Sequence, residues 1–459
     1  MKNLEFMHLL SEGIARLDQQ FPGLEPISSV ASLSGSKEAA AVLEQVADRL
    51  ADNYPYFHPL YAGQMLKPPH PIARAAYAMA MAINPNNHAL DGGRASSQME
   101  IEAVAAIAKM FGLPRHLGHL TSGGTFANLE ALWIAGQLAP GAAILAADQA
   151  HYTHSRISSV LKLNFETVLT DDYGRMDLAA LESRLQQAEV GERRRVGTVV
   201  ATLGTTAIGS VDPLAAIVEL GRRYKFRVHV DAAYGGYFCL SSLLQANAAR
   251  SFDAITNVDS IVVDPHKHGL QPYGCGCILF SDPSVGRLYK HDSPYTYFSS
   301  TELHLGEISL ECSRAGAAAV ALWATQQYLP MVTGGPFAAD LDSSLRAAQD
   351  FYGRLDNDAH FVTAFLPELD IVFWTVRAAT PEESGRLAQA VFDRAASRNL
   401  HLALALLPIR FFPSGTWPGS EGVMHVRCLR SVLMKPEHEA WLPEVYRLLT
   451  EAALEVMKR

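Results

Sequence analysis

The stretch Val262-Val-Asp-Pro-His-Lys-His-Gly269 decides how the rest of the chain is read. Lys267 sits shortly after the apolar run 260–263, bracketed by His266 and His268, with a glycine following. Exposed lysines usually lie in solvated runs, and this one does not. Desolvation disfavours the ammonium and leaves an amine that can act as a nucleophile and form a Schiff base. Taken alone, the same lysine reads equally well as a structural residue at a strand end.

On both sides of this stretch, short apolar runs alternate with helical patterns. Strands are expected at 143–147, 196–202, 227–230, 260–263 and 275–280. Helices are expected at 99–111, 126–137, 178–187, 213–224 and 305–328. Such alternation calls for an α/β fold whose large, mainly parallel sheet is covered on both faces. Ligands of these sheets bind beyond the carboxyl ends of the strands. Residues 330–336 hold two prolines and two glycines and mark a boundary. Beyond it, helices at 338–355, 382–398 and 443–457 and strands at 370–376 and 422–433 make a small C-terminal α+β domain. At the other end, Ala39, Val42, Leu43, Val46 and Leu50 recur at helical spacing. The expected organisation is a helical segment over 1–60, a large domain over 61–330 and a small domain over 331–459.

Composition narrows the function classes. Hydrophobic residues make up 49% and charged residues 19% of the 459 positions, which excludes a disordered chain. Lys+Arg number 38 against 47 Asp+Glu, a net charge of −9, so the basic surplus of a nucleic-acid binder is missing. The five cysteines are an odd number in a long chain, which argues against a disulfide framework. Cys275 and Cys277 have no second pair at zinc spacing, so no metal is expected. No apolar run reaches the roughly 20 residues of a membrane span, and the N-terminal run is broken by Glu5 and His8. A cytoplasmic protein without membrane contact is the expectation.

Three further segments carry chemistry. In Val228-His-Val-Asp-Ala-Ala-Tyr-Gly-Gly236, Asp231 ends an apolar run and small residues follow. Small residues let a flat ring approach the backbone, and the carboxylate can hold a protonated ring nitrogen. A strand-ending aspartate is also an ordinary helix cap. Thr121-Ser-Gly-Gly-Thr-Phe-Ala-Asn128 enters a helix, where free backbone N–H groups make an anion site. It matches neither the Walker nor the dinucleotide pattern. Asp148-Gln-Ala-His-Tyr-Thr-His154 follows a strand, so His151 can stack on a planar ligand or simply open a helix. In chain order the four segments offer a phosphate cradle, a stacking imidazole, a carboxylate and a lysine. A ring with a phosphate, a pyridinium nitrogen and an aldehyde asks for these four partners, and that ligand is pyridoxal phosphate.

Together these motifs, with Ala201-Thr-Leu-Gly-Thr-Thr206, resemble those of the pyridoxal-phosphate-dependent amino-acid decarboxylases, the family of aromatic amino-acid, tyrosine and glutamate decarboxylases. The resemblance covers residues 50–330 well and the remainder more loosely. It implies the fold of PLP-dependent transferases (fold type I). It also implies pyridoxal 5'-phosphate as cofactor, with Lys267 as the Schiff-base lysine and Asp231 at the pyridine nitrogen. His151 would stack on the ring and handle protons. Gly124, Thr125 and His266 would contact the phosphate, Thr206 the phenolic oxygen and Ala233 the ring face. Tyr295 and Tyr297 lie where the family has a loop tyrosine that protonates the substrate carbon. Tyr56 and His58, in the aromatic segment Tyr54-Pro-Tyr-Phe-His-Pro-Leu-Tyr61, and Arg314 resemble substrate-binding positions. Phe126 departs from relatives, which commonly carry a polar residue there.

The implied reaction is decarboxylation of an L-amino acid to its amine, leaning to an aromatic substrate such as tyrosine. A carbon–carbon lyase or an aminotransferase on the same fold is the alternative. A non-catalytic binding protein would not need the reactive lysine. The resemblance further implies a homodimer whose active site lies at the interface.

Overall fold

The run 260–263 is a strand in the computed structural model, which describes residues 2–19, 37–290, 304–420 and 422–458. It is the sixth of seven strands in the larger sheet: β1 Leu117–Thr121, β2 Ala143–Ala147, β3 Asn164–Val168, β4 Val196–Thr202, β5 Arg227–Asp231, β6 Ser260–Val263 and β7 Gly276–Phe280. The spatial order is β1-β7-β6-β5-β4-β2-β3. Neighbours from β6 to β3 run parallel, and β7 is antiparallel to both β1 and β6. Every residue of β2, β4, β6 and β7 is buried, as a sheet covered on both faces requires. The expected α/β class, a large mainly parallel sheet with a small domain beside it, is therefore the one observed.

Two strands of this sheet escape sequence reading. In β1, Leu117-Gly-His-Leu-Thr is too polar to read as a buried run. Its glycine is there for closeness, because a Cβ on Gly118 would lie 2.7 Å from the Ile278 carbonyl oxygen on β7. β3 lies at the sheet edge and is only partly buried.

The small domain has four antiparallel strands, β8 Phe361–Thr363, β9 Ile371–Val376, β10 Ala403–Pro408 and β11 His425–Val432, in the order β10-β11-β9-β8. Helices Pro336–Asp356, Pro381–Ala396 and His438–Met457 pack on it around Trp374, Phe351 and Leu449. The first of these helices serves both cores. Phe337, Leu341 and Leu345 enter the large core, whereas Phe351 and Leu355 enter the small one. Leu60–Gly63, at the start of the expected large domain, lies instead against the small one: Ala62 N–H donates to His401 O, and Val432 N–H donates to Ala62 O.

The helix expected at 305–328 begins only at Gly316, after a short 3-10 turn at Leu305–Glu307. The chain around Arg314 and Ala315 is held extended by Asn86 and Asn87, which consume the backbone groups a helix would need. Helix Lys37–Leu50 forms as its pattern predicts but buries none of its residues. Among the described residues no helix is long and apolar enough to cross a membrane.

Candidate cofactor site and active centre

The carboxyl ends of the central strands open into a cavity of about 390 Å³. Gly124, Thr125, His151, Thr206, Asp231, Ala233, His266 and Lys267 all line it. The sequence places these residues far apart; the parallel strands bring their carboxyl ends to one edge.

The cradle follows β1. Gly123 has φ of 149°, a conformation side chains rarely adopt, and its carbonyl accepts from Phe126 and Ala127 to start helix Gly124–Leu138. The first N–H groups of that helix have no intrahelical acceptor and suit an anion. A Cβ on Gly124 would lie 2.7 Å from the Asp264 carboxylate, so only glycine fits there.

Lys267 stands on the turn after β6, its N–H bonded to Asp264 O and its Nζ 3.0 Å from Asp264 Oδ2. His266 Nδ1 lies 2.8 Å from the Cys275 carbonyl. A carbonyl only accepts, so the proton is on Nδ1 and Nε2 is left on the cavity side, 3.5 Å from Asp264 Oδ2. His151 Nδ1 accepts from Thr153 N–H, which puts the proton of the neutral ring on Nε2. Burial lowers the pKa of both imidazoles.

Asp231, the last residue of β5, is fixed at both oxygens. Oδ1 accepts from Ala233 N–H; Oδ2 accepts from His154 Nε2 at 2.9 Å and, more weakly, from Asn128 Nδ2 at 3.4 Å. Burial alone would raise its pKa. The hydrogen bond and charge of His154, with the charge of Lys267, outweigh burial and hold it well below the usual carboxylate range. Asn128 also donates to Gly124 O, which ties the carboxylate to the cradle. Its amide oxygen accepts from His229 Nε2, and His229 Nδ1 accepts from the Ser260 hydroxyl. Burial pushes the His229 pKa down to about 3.

Asn128, His154, Asp264 and Tyr234 were not among the residues expected from sequence. All four lie inside the quoted motifs, so the signal is present in the sequence. His154 spends Nε2 on Asp231. Among the described residues no group of three or more His, Cys, Asp or Glu is placed to hold a metal.

The expected substrate residues do not reach this cavity within their own chain. Arg314 is buried against Glu100, 3.0 Å away, and donates to the carbonyls of Leu120 and Asn87. It is a structural ion pair here, because its charge is already matched. Tyr56 packs edge-on against Tyr61 at 4.9 Å, and His58 edge-on against Trp441 at 4.7 Å. Both belong to the segment docked on the small domain. Tyr295 and Tyr297 lie outside the described residues.

An adjoining cavity of about 360 Å³ shares His151 and Thr206 and is also lined by Gln64, Tyr152, Leu404 and Arg430. Arg430, on β11, is buried and donates to three carbonyls, those of Ala207, Gly63 and Thr206. Among the described residues no carboxylate pairs with it. An arginine has five N–H donors, so donors remain for an anion. No sequence motif announced it.

The residues of the first cavity fit a phosphorylated pyridine aldehyde: a glycine cradle that a Cβ would fill, an amine, and an ionised carboxylate. A family model described as the pyridoxal-dependent decarboxylase conserved domain matches residues 135–376. The chain is 28% identical over 418 residues to an L-tyrosine decarboxylase of Enterococcus faecium, covering 70% of this chain and 68% of that protein. It is 30% identical over 326 residues to a probable L-tyrosine/L-aspartate decarboxylase of Methanothermobacter thermautotrophicus, covering 70% of this chain and 84% of that protein. The crystal structure of Oryza sativa TDC with PLP and tryptamine matches with a TM-score of 0.79 at 20% identity, over 99% of this chain and 98% of that one.

Proposed function

The chain belongs to the pyridoxal-dependent decarboxylase family and is a pyridoxal-phosphate-dependent carboxy-lyase; from that premise we propose that its substrate is an aromatic L-amino acid such as tyrosine and that Lys267 carries the cofactor. The observation behind the site assignment is the convergence of eight residues on one cavity. Gly124 and Thr125 would hold the phosphate, joined by His266 once its Nε2 takes up a proton, since Nδ1–H is spent on the Cys275 carbonyl; His151 and Ala233 would hold the ring, Thr206 the phenolic oxygen, Asp231 the ring nitrogen and Lys267 the aldehyde carbon.

Bound pyridoxal phosphate supplies the electron sink for the pair left when the C–CO2 bond breaks. The chain supplies orientation and charge. An ionised Asp231, both oxygens fixed by donors, holds a proton at the ring nitrogen better than it takes the proton itself. Arg430 anchors the amino acid by a carboxylate oxygen through the donors its three carbonyls leave free. His151, which lines both cavities, would stack on the ring and handle protons on the substrate side. Tyr295 or Tyr297 returns the proton to the substrate carbon.

The aromatic reading draws support from the Enterococcus relative's name. The Methanothermobacter relative's name gives aspartate beside tyrosine, which makes aspartate the second reading. We also propose a homodimer. Val42, Leu43, Val46 and Leu50 of helix Lys37–Leu50 are exposed in one chain, and a second copy would cover them. A cytoplasmic location follows the same reading, because all five cysteines are free thiols, as a reducing compartment keeps them.

The test is a panel of L-amino acids with CO2 release from the holoenzyme as readout. Tyrosine is expected to give the highest kcat/KM. Aspartate ahead of tyrosine would overturn the aromatic assignment, and activity confined to other side-chain classes would overturn both.

A further inference from the structure

Asp370 lies just before β9 of the small domain and is fully buried. Tyr234 Oη donates to its Oδ1 at 2.5 Å, and His268 Nε2 stands 3.2 Å from its Oδ2. The His268 ring is itself buried and packs edge-on against Tyr234 at 4.9 Å and Phe238 at 4.8 Å. Burial would raise the Asp370 pKa; His268, Tyr234 and then Lys67 hold it below the usual range.

A carboxylate is costly to bury, and replacing a buried ionic cluster by apolar side chains of similar volume is often neutral or stabilising. Packing alone therefore gives this chain no reason for an aspartate here. The two groups it holds are not arbitrary. Tyr234 lines the cofactor cavity three residues after Asp231, and His268 directly follows Lys267. One carboxylate of the small domain thus joins the segment behind the ring-nitrogen partner to the segment that bears the lysine. None of these contacts is used in the steps above.

We propose that Asp370 is a positioning residue of the cofactor site: by holding Tyr234 and His268 from the small domain, it fixes how Lys267 presents its amine and makes cofactor retention depend on the seating of that domain. This rests on the reading of Lys267 as the cofactor-bearing residue. Asp370 touches neither cofactor nor substrate and acts through its two partners.

The experiment compares Asp370→Asn with wild-type holoenzyme by visible circular dichroism of the bound cofactor and by its release rate into excess apo-acceptor protein. Asparagine keeps the shape and an acceptor for Tyr234 but removes the charge. The dichroic band is expected to weaken, and release to quicken by about tenfold, the scale of losing one charge-assisted hydrogen bond. Asp370→Glu should restore part of both. If Asp370→Asn does not fold, the double variant Tyr234→Phe/His268→Gln carries the same expectation. Wild-type dichroism and release in a variant that is merely less heat-stable would overturn the proposal. Lys267→Ala separates the two layers. Loss of the visible band there leaves the lysine assignment standing whatever Asp370 does, and a persistent band would overturn both.

Discussion

On the large-domain side of the cavity, the residues proposed to act sit in short runs that each follow a strand: Gly124 and Thr125 after β1, His151 after β2, Asp231 ending β5, and Lys267 after β6. On the small-domain side the proposed residues are two single buried charges, Arg430 and Asp370, with no motif around either. The first side acts through backbone turns, so glycines and small residues must accompany the chemistry and leave a pattern. The second side is proposed to act through single side chains, whose neighbours in sequence need no special backbone conformation and so leave no pattern. The difference teaches that a site's chemistry is readable where the backbone takes part and silent where only a side chain does.

The sharpest way to break the comparison is at the ring-nitrogen end. Asp231→Asn is expected to lower kcat for CO2 release by roughly 10²–10³-fold, the scale of removing one preorganised electrostatic partner. An activity near wild type would mean that the readable side does not carry the chemistry.

On the silent side, Arg430→Gln should raise KM by about 10–100-fold, as expected for the loss of a hydrogen-bonded charge to a carboxylate. Arg314→Met provides the contrast. It leaves Glu100 buried without its partner, so it should cost roughly 3 kcal/mol in urea unfolding, with KM little changed. A KM effect at Arg314 with none at Arg430 would reverse the assignment of the two arginines.

The smallest expected effect is on pH and stability. The folded-state pKa of His229 is lowered to about 3 by burial, so the unfolded chain binds the proton first as pH falls. Its contribution is complete above about pH 6.5, the unfolded value, and is lost as pH falls toward 3. His229→Gln keeps a donor for Asn128 and does not titrate. The gap in unfolding free energy from urea titrations between wild type and this variant should therefore shift against wild type between pH 7 and pH 5, by up to about 2 kcal/mol. A constant gap would mean that His229 is not held neutral.

The N-terminal and C-terminal ends of the readable region show where legibility stops. Strands β2, β4 and β6 are apolar throughout, because both faces are buried, and their bounds follow from the sequence as it stands. β1 is equally part of the sheet, yet its glycine and histidine disguise it, because closeness to β7 and a contact with Glu130 matter more there than apolarity. The helix expected from residue 305 fails for a related reason. Its first half is apolar enough, but Asn86 and Asn87 take its backbone groups from more than 200 positions away.

Sequence by itself determined the α/β class, the family, the cofactor and the residues that converge on the cavity, because each is tied to a turn or strand end whose local composition is constrained. Tertiary structure alone decided that Arg314 is matched by Glu100, that Asn128 and His154 fix Asp231, that Arg430 lines the adjoining cavity, and that Asp370 meets Tyr234 and His268 behind the first one. Those roles depend on which charges meet across the fold, and a lone arginine or aspartate has no local signature until its partner arrives.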